Sequence, residues 1–182
     1  MDYNSKRNKL KNTYLVIILA AAVLTMALSA CQTAGTSGAD DLDKIVEKLY
    51  KGLDVPAYEI INLDKDTFEG FAFAKYDGDY KAVAADALVN ITAHSVVVIK
   101  TDKANGKDLA EEIVKNADPN KWLCVGAETV AVAYTDNYVV LVMSDEETTD
   151  GIVSNFKGMA KDLDGIEMNL LTKGNDRFEE GF

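Results

Sequence analysis

The sequence predicts an α+β fold, a two-layer sandwich in which helices pack on one face of a mainly antiparallel sheet. Amphipathic helical patterns occur near both ends of the segment 40–165, a β-branched run lies near its centre, and two further β-rich runs are joined by Asp136-Asn137. A two-residue turn between such runs makes a hairpin, and a hairpin pairs its strands antiparallel. Because amphipathic helices must bury their apolar sides, we expect them to cover the sheet.

The first element of the domain is an amphipathic helix that begins at Asp40 and Asp41. Its apolar residues recur every three or four positions, which is the spacing of one helix face, and they are Leu42, Ile45, Val46, Leu49, Tyr50 and Leu53. Pro56 ends this pattern, because proline cannot continue a helix. Between residues 57 and 78 the pattern is weaker and predicts short strands at 58–61 and 68–73, followed by a turn at 76–79.

The middle of the chain predicts a central strand and a second helix. Residues 95–99 are Ser-Val-Val-Val-Ile, a β-branched run that is apolar on both faces. Such a run is typical of a strand that is covered on both sides or nearly so. Residues 107–117 follow the helical spacing, and Pro119 lies just past their end. One face of this helix carries Leu109, Ile113, Val114 and Ala117.

The last part of the chain predicts a hairpin and a longer helix. The β-rich runs 128–134 and 138–143 flank Asp136-Asn137, and Asp145 is the expected N-cap of the helix that follows. The buried stripe of that helix consists of Ile152, Phe156, Met159, Ala160 and Leu163, and Gly165 ends it. We therefore place a single domain at 40–165 and expect residues 166–182 to form a loosely held C-terminal tail.

The first thirty residues have the order of an export signal. The basic residues Lys6, Arg7, Lys9 and Lys11 precede an apolar run at 14–30, and the run ends in Leu28-Ser29-Ala30-Cys31. This ending resembles the lipobox of bacterial lipoproteins. The resemblance implies a signal peptide at 1–30, cleavage before Cys31, and a lipid on the Cys31 thiol with acyl chains such as palmitate. Residues 31–39 are rich in glycine, serine and threonine and predict a flexible tether.

This segment predicts the location of the protein, a lipid anchor on the extracytoplasmic face of the cell membrane. Each buried methylene group contributes roughly 0.8 kcal/mol, so two acyl chains hold a protein more firmly than one. The alternative is an uncleaved transmembrane helix, since the apolar run is only slightly shorter than the ~18–20 residues that a span needs. A bare anchor, however, has no need of cysteine at position 31.

The charge of the chain limits its partners. The chain carries 19 basic and 30 acidic residues, and loss of residues 1–30, with four basic residues and one acidic residue, leaves a formal charge of −14. Phosphate backbones and anionic headgroups repel such a surface, so we expect no nucleic acid partner and no membrane contact except through the lipid. Arg177 is the sole arginine after residue 30, and no glycine-rich phosphate loop is present.

Three segments resemble an uncharacterised family of Gram-positive bacterial lipoproteins, a domain of unknown function. They are residues 93–99 (Ala-His-Ser-Val-Val-Val-Ile), 118–128 (Asp-Pro-Asn-Lys-Trp-Leu-Cys-Val-Gly-Ala-Glu) and 140–145 (Val-Leu-Val-Met-Ser-Asp). The resemblance would extend from about residue 41 to about residue 163. It implies a lipoprotein with these domain limits, and it implies no activity and no functional residues.

Residues that could carry out catalysis are few. His94 is the only histidine, and it could activate Ser95 or Cys124 as a nucleophile. Both candidates adjoin apolar runs, however, and neither lies in a GxSxG turn. We therefore expect His94 to be a structural hydrogen-bonded residue, Cys124 to be a buried small hydrophobe, and no residue to be catalytic. With Cys31 lipidated, Cys124 has no disulfide partner.

Metal and ligand sites have weak signals. One histidine and one cysteine are too few for a transition-metal site, and we predict no metal and no cofactor. The alternative is calcium, held by Asp64, Asp66 and Glu69 or by Asp77 and Asp79. An aromatic platform for a glycan or peptide could combine Trp122 with Tyr134 and Tyr138, although we expect Trp122 to pack in the core.

These observations favour a membrane-anchored lipoprotein that is a non-enzymatic binding or structural module of the cell envelope. Its expected partner, besides the membrane, is an envelope protein, a peptide or a cell-wall ligand. The alternative is a Cys/His-dependent envelope enzyme. The feature that separates the two is whether His94 and Cys124 share an exposed cleft.

Overall fold

The computed structural model of the chain describes residues 39–89 and 91–175. The signal segment 1–30, Cys31 and most of the tether lie outside the described residues. In chain order the elements are α1 (Ala39–Leu49), β1 (Tyr58–Leu63), α2 (Phe68–Ala72), β2 (Lys81–Ala87), β3 (Ser95–Lys100), α3 (Gly106–Asn116), β4 (Thr129–Tyr134), β5 (Tyr138–Ser144), α4 (Glu146–Asp164) and β6 (Asn169–Gly174).

The six strands form one antiparallel sheet in the order β1-β2-β3-β5-β4-β6. Strands β3 and β5 lie at its centre, where Val98 is opposite Val83 on one side and Val140 on the other. All seven residues of β5 are buried. The predicted central strand and the predicted hairpin of β4 and β5 are confirmed, and the turn closes although neither Asp136 nor Asn137 has a positive φ.

Each face of the sheet carries its own apolar core, because alternate residues of a strand point to opposite faces. One core joins the sheet to α1 and α4 and includes Val46 and Phe156. The other joins it to α2 and α3 and includes Phe68 and Ile113. The α+β sandwich with an antiparallel sheet is thus confirmed, but helices cover both faces instead of the one we expected. Strands β3 and β5 are apolar on both sides, so an uncovered face would expose apolar side chains to water.

Residues 68–73 form the short helix α2 and not the predicted strand. The Asp64 carboxylate accepts hydrogen bonds from the backbone N–H groups of Asp66 and Thr67 at 2.9 and 3.0 Å, which turns the chain at the end of β1. Phe68 and Ala72 are buried four positions apart, as on one helix face. Phe73 follows in the left-handed region, with φ of 57°, and ends the helix.

Strand β6 replaces the loosely held tail that we expected after residue 165. It pairs with β4 along its whole length, from Asn169 opposite Tyr134 to Gly174 opposite Thr129. The Asn175 amide then donates a hydrogen bond to the Ala127 carbonyl at 2.8 Å. The predicted domain limit at residue 165 is therefore wrong, and the domain extends at least to Asn175. Four of the six residues of this edge strand are exposed and only two are leucines, which explains the weak sequence signal.

The two ends of the sheet differ in what lies there. At the first end, α1 begins, and its residues Asp41 and Leu42 border a groove with Lys100 and Tyr138. At the second end, which we call the loop end, the segment 88–94 joins β2 to β3 and the segment 117–128 joins α3 to β4. Among the described residues, no helix is long and apolar enough to cross a membrane.

Candidate functional site

His94 lies at the loop end, directly before β3, and is fully buried. Its Nε2 atom lies 2.8 Å from the Tyr50 hydroxyl, and its Nδ1 atom lies 3.0 Å from the Ser144 hydroxyl. Tyr50 follows α1 and Ser144 ends β5. The imidazole therefore connects three elements on the face that α1 and α4 cover, and the prediction that His94 is hydrogen-bonded is confirmed.

The donors and acceptors in these hydrogen bonds can be assigned from a further contact, between Ser144 and Asp145. The Ser144 hydroxyl donates to the Asp145 carboxylate at 3.1 Å. Since a hydroxyl has one proton, Ser144 accepts from His94, and Nδ1 must carry the hydrogen. Nε2 is then the acceptor for the Tyr50 hydroxyl. This series of hydrogen bonds runs from the Tyr50 hydroxyl through His94 and Ser144 to the Asp145 carboxylate, and the histidine in it is neutral.

The electrostatic environment agrees with this assignment. Burial lowers the pKa of His94, against the opposing effect of the carboxylates of Asp145 and Asp86. Burial likewise raises the pKa of Tyr50 far above its usual value. At Asp145 burial favours the neutral acid, but hydrogen bonds from Thr148 and Ser144 outweigh it, and the pKa of that carboxyl is lowered. The series of hydrogen bonds that starts at Tyr50 thus ends at the Asp145 carboxylate, which also caps α4.

Cys124 is exposed, which contradicts the predicted burial of this side chain. Residues 122–125 do not extend the sheet but lie in the loop that precedes β4, where Leu123 is also fully exposed. Only Trp122 in this stretch packs against the apolar core. The apolar run suggested a buried segment, but residue type alone cannot show where the backbone leaves the sheet.

Cys124 and His94 do not form a catalytic pair. Cys124 borders a cleft on the surface, whereas His94 is not among the residues that line it. Both ring nitrogens of His94 are engaged by Tyr50 and Ser144. A base must be within hydrogen-bond reach of the proton that it accepts, so His94 cannot activate Cys124 in this arrangement.

A second polar cluster lies at the loop end on the opposite face of the sheet. Lys121 donates to the Ser95 hydroxyl at 3.0 Å and pairs with Asp86 at 3.3 Å. Its Nζ atom also lies 4.8 Å from the ring centre of Trp122 and 5.4 Å from that of Phe71. Burial lowers the pKa of Lys121, and the Asp86 carboxylate opposes that shift. Ser95 is fully buried, so this cluster holds the 117–128 loop on the sheet.

The loop-end cleft has a volume of about 460 Å³. One wall consists of Ile91, Thr92 and Ala93 from the β2–β3 loop, and the other of Cys124, Val125 and Gly126 from the loop before β4. Two carboxylates, from Glu128 and Asp145, complete the lining. The cleft therefore combines apolar walls with acidic groups.

Four exposed apolar side chains lie on the two loops that form this cleft, and we call them the apolar rim; Ile91 also lines the cleft itself. The exposed fractions are 58% for Leu88, 53% for Val89, 80% for Ile91 and 103% for Leu123. All four lie on the two loops that form the cleft walls. Sequence reasoning missed the rim and Lys121, because the partners of Lys121 are 26 and 35 positions away and no local pattern marks an apolar loop residue as exposed.

The other predicted ligand sites are not assembled. Trp122 and Tyr134 pack on the face that α2 and α3 cover, whereas Tyr138 packs on the opposite face, so these rings form no platform. Asp77 and Asp79 both bind Lys103, and the Asp64 carboxylate is occupied by the turn before α2. Within residues 39–89 and 91–175, no group of three or more His, Cys, Asp or Glu side chains could hold a metal ion.

No protein-family model, curated protein or solved structure matches the chain. The resemblance of three segments to a family of Gram-positive lipoproteins therefore stays a prediction.

Proposed function

We propose that this chain is a lipoprotein anchored through Cys31 to the extracytoplasmic face of the cell membrane, where its domain is a non-enzymatic binding module of the envelope. The anchor is supported by the basic residues, the apolar run and the Leu-Ser-Ala-Cys ending of residues 1–31. The binding role is supported by the geometry of the loop end.

A single observation supports the binding role: the exposed apolar side chains of the rim lie on the same two loops that form an acidic cleft. Of the five exposed large hydrophobic side chains in the described part of the chain, four belong to the rim, and the fifth is Leu170 on β6. Exposed apolar side chains that occur singly need no explanation, but a group on two loops that form a cleft is typical of an interaction site. The cleft lies between two loops that the sheet holds in place, as in many binding sites.

The alternative, a Cys/His-dependent enzyme, is not supported, because His94 and Cys124 do not form a catalytic pair. It required His94 and Cys124 to share an exposed cleft, and His94 is buried with both nitrogens bonded. The remaining polar cluster, of Lys121, Ser95 and Asp86, joins a buried serine to a lysine that already has a carboxylate partner. We therefore assign the loop end to recognition.

Membrane fractionation of cells that express the full chain tests the anchor. We expect wild-type protein in the membrane fraction, cleaved before Cys31, and the Cys31→Ser variant either uncleaved or released, since no other residue near the boundary can form the thioether. Cys124→Ser is the matched control and should fractionate as wild type. Cleavage at the same bond with full membrane retention of Cys31→Ser would contradict the proposal.

A further inference from the structure

The loop end and the start of α1 lie at opposite ends of the sheet. Helix α1 begins beside Lys100 and Tyr138, whereas Tyr50, after its C-terminus, contacts His94 at the loop end. The segment that precedes the domain therefore joins it at the end away from the cleft.

The two loops of the cleft are held by hydrogen bonds at their bases. In the first loop, the N–H group of Ala87 donates to the His94 carbonyl at 3.1 Å. In the second, the N–H group of Ala127 donates to the Pro119 carbonyl at 2.8 Å. The Asn175 amide binds the Ala127 carbonyl and Asn120, so β6 also supports this loop. The bases of both loops are thus fixed by hydrogen bonds, which reduces the entropy cost of binding.

The charged groups that line the cleft indicate whether a lipid surface or a cationic partner fits it better. Glu128 and Asp145 supply the carboxyl groups of its lining, and among residues 39–89 and 91–175 no lysine or arginine lines it. Loops that insert into anionic membranes combine apolar residues with basic ones. Here the combination is apolar and acidic, which disfavours a lipid surface and is complementary to a cationic partner.

We propose that the loop-end cleft and its apolar rim bind a segment of a partner protein that carries apolar side chains and at least one cationic side chain. The inference rests on the proposed binding function and names its partner class. Apolar side chains of that segment contact Ile91 and Leu123, and its cationic group lies near Glu128 and Asp145.

A peptide of matching chemistry tests this inference. Both cores and the six strands of the described residues lie within the compact unit of residues 37–182, so we expect a fragment of these residues to fold without the preceding segment. The probe is an octapeptide of alternating leucine and lysine, and its counterpart has glutamate in place of each lysine. Binding is followed by fluorescence anisotropy of the labelled peptides and by the emission of Trp122, the only tryptophan of the chain.

The variants distinguish specific binding at the apolar rim from nonspecific electrostatic binding of a cationic peptide to an acidic protein. We expect saturable binding of the leucine-lysine peptide, and a loss of about tenfold in affinity for the double variant Ile91→Ser and Leu123→Ser, which keeps the net charge. Glu128→Gln should weaken binding about threefold. Leu170→Ser, on the far edge strand, and Glu167→Gln are the matched controls and should bind as wild type. Circular dichroism and urea unfolding confirm that each variant is folded.

Several results would overturn the inference. These are the absence of saturable binding, equal binding by the rim variant and wild type, or equal binding of the glutamate peptide. Rim-dependent dimerisation, or rim-dependent binding to phosphatidylcholine and phosphatidylglycerol vesicles, would assign the cleft to a second copy or to lipid. Peptide binding that occurs only in a chain shortened to Asn175 would assign it to residues 176–182. None of these results bears on the fractionation of Cys31→Ser, so the two proposals fail separately.

Discussion

The Nδ1 atom of His94 lies 3.0 Å from the Ser144 hydroxyl, and this contact joins the start of β3 to the residue before the N-cap of α4. Through Tyr50 the same imidazole is also linked to the end of α1. The only histidine of the chain therefore connects the two helices of one layer to the sheet at the loop end.

Replacement of His94 by alanine should destabilise the domain. The change empties a buried site and leaves the Tyr50 hydroxyl without its acceptor, so we expect the free energy of unfolding to fall by about 2–4 kcal/mol. Urea unfolding of residues 37–182, followed by circular dichroism, measures this loss. Thr92→Ala, two positions away on the exposed wall of the cleft, is the control and should change stability by less than about 0.5 kcal/mol. A loss below about 1 kcal/mol for His94→Ala would contradict the buried network.

The lowered pKa of His94 also predicts a pH dependence of stability. Its folded-state pKa lies below the ordinary value of 6.5, so the unfolded chain binds the proton first as the pH falls. The contribution of neutral His94 to the free energy of unfolding is complete above pH 6.5. It is lost as the pH decreases below 6.5, by up to about 1.4 kcal/mol per pH unit. The lowered pKa of Asp145 also makes the protein less stable as the pH falls, but only below pH 3.8.

Urea unfolding at pH 7.5 and pH 5.5 tests this dependence without interference from Asp145. Wild-type protein should be less stable at the lower pH. In His94→Gln, which keeps a polar side chain but does not titrate in this range, most of the difference should disappear. An equal decrease in both proteins would show that other groups cause the effect.

Sequence patterns predicted those parts of the fold whose signals are local. The Asp145 cap and the Gly165 end of α4 are both present, with the carboxylate accepting from the Thr148 N–H group at 2.8 Å and a glycine φ of 78°. Phe156, placed in the buried stripe by helical spacing, is fully buried. Caps and amphipathic spacing reflect interactions within a few residues, so one sequence suffices to identify them.

Features that depend on tertiary context were missed. Strand β2 has four alanines and one valine among its seven residues and became a buried strand through its position between β1 and β3. Alanine has low strand propensity, so only the neighbouring strands reveal it. The cleft depends on the meeting of two loops whose lining residues are more than 30 positions apart in the sequence. Cys124 was assigned to the interior because its apolar neighbours resembled a strand.

Exposure of Cys124 predicts rapid chemical labelling of the native protein. Residues 37–182 contain no other cysteine, so the uptake of iodoacetamide reports this thiol alone. We expect the native fragment to react at a rate comparable to that of the urea-unfolded fragment, since no packing shields the sulfur atom. Because His94 does not reach Cys124, His94→Ala should leave the native rate unchanged. Strong protection of the native thiol, or a rate that depends on His94, would contradict the described loop.

Two glycines in helices predict opposite effects of the same substitution. Gly158 lies within α4, and a Cβ atom there would meet nothing within 4 Å, so Gly158→Ala should stabilise the domain by about 0.5–1 kcal/mol through the higher helix propensity of alanine. Gly106 begins α3 against the β4–β5 turn, where a Cβ atom would collide with the backbone carbonyls of Thr135 and Asp136.

Gly106→Ala should therefore destabilise the domain by about 1–3 kcal/mol, because backbone atoms cannot rotate away as a side chain can. The same contact contains the hydrogen bond from the Gly106 N–H group to the Asp136 carbonyl at 2.9 Å, which the added methyl group would weaken. Thermal and urea unfolding of the two variants in parallel give the sign of each change. If Gly106→Ala were as stable as Gly158→Ala, the packing of α3 against the turn would be looser than described, and the hairpin would not be held at this point.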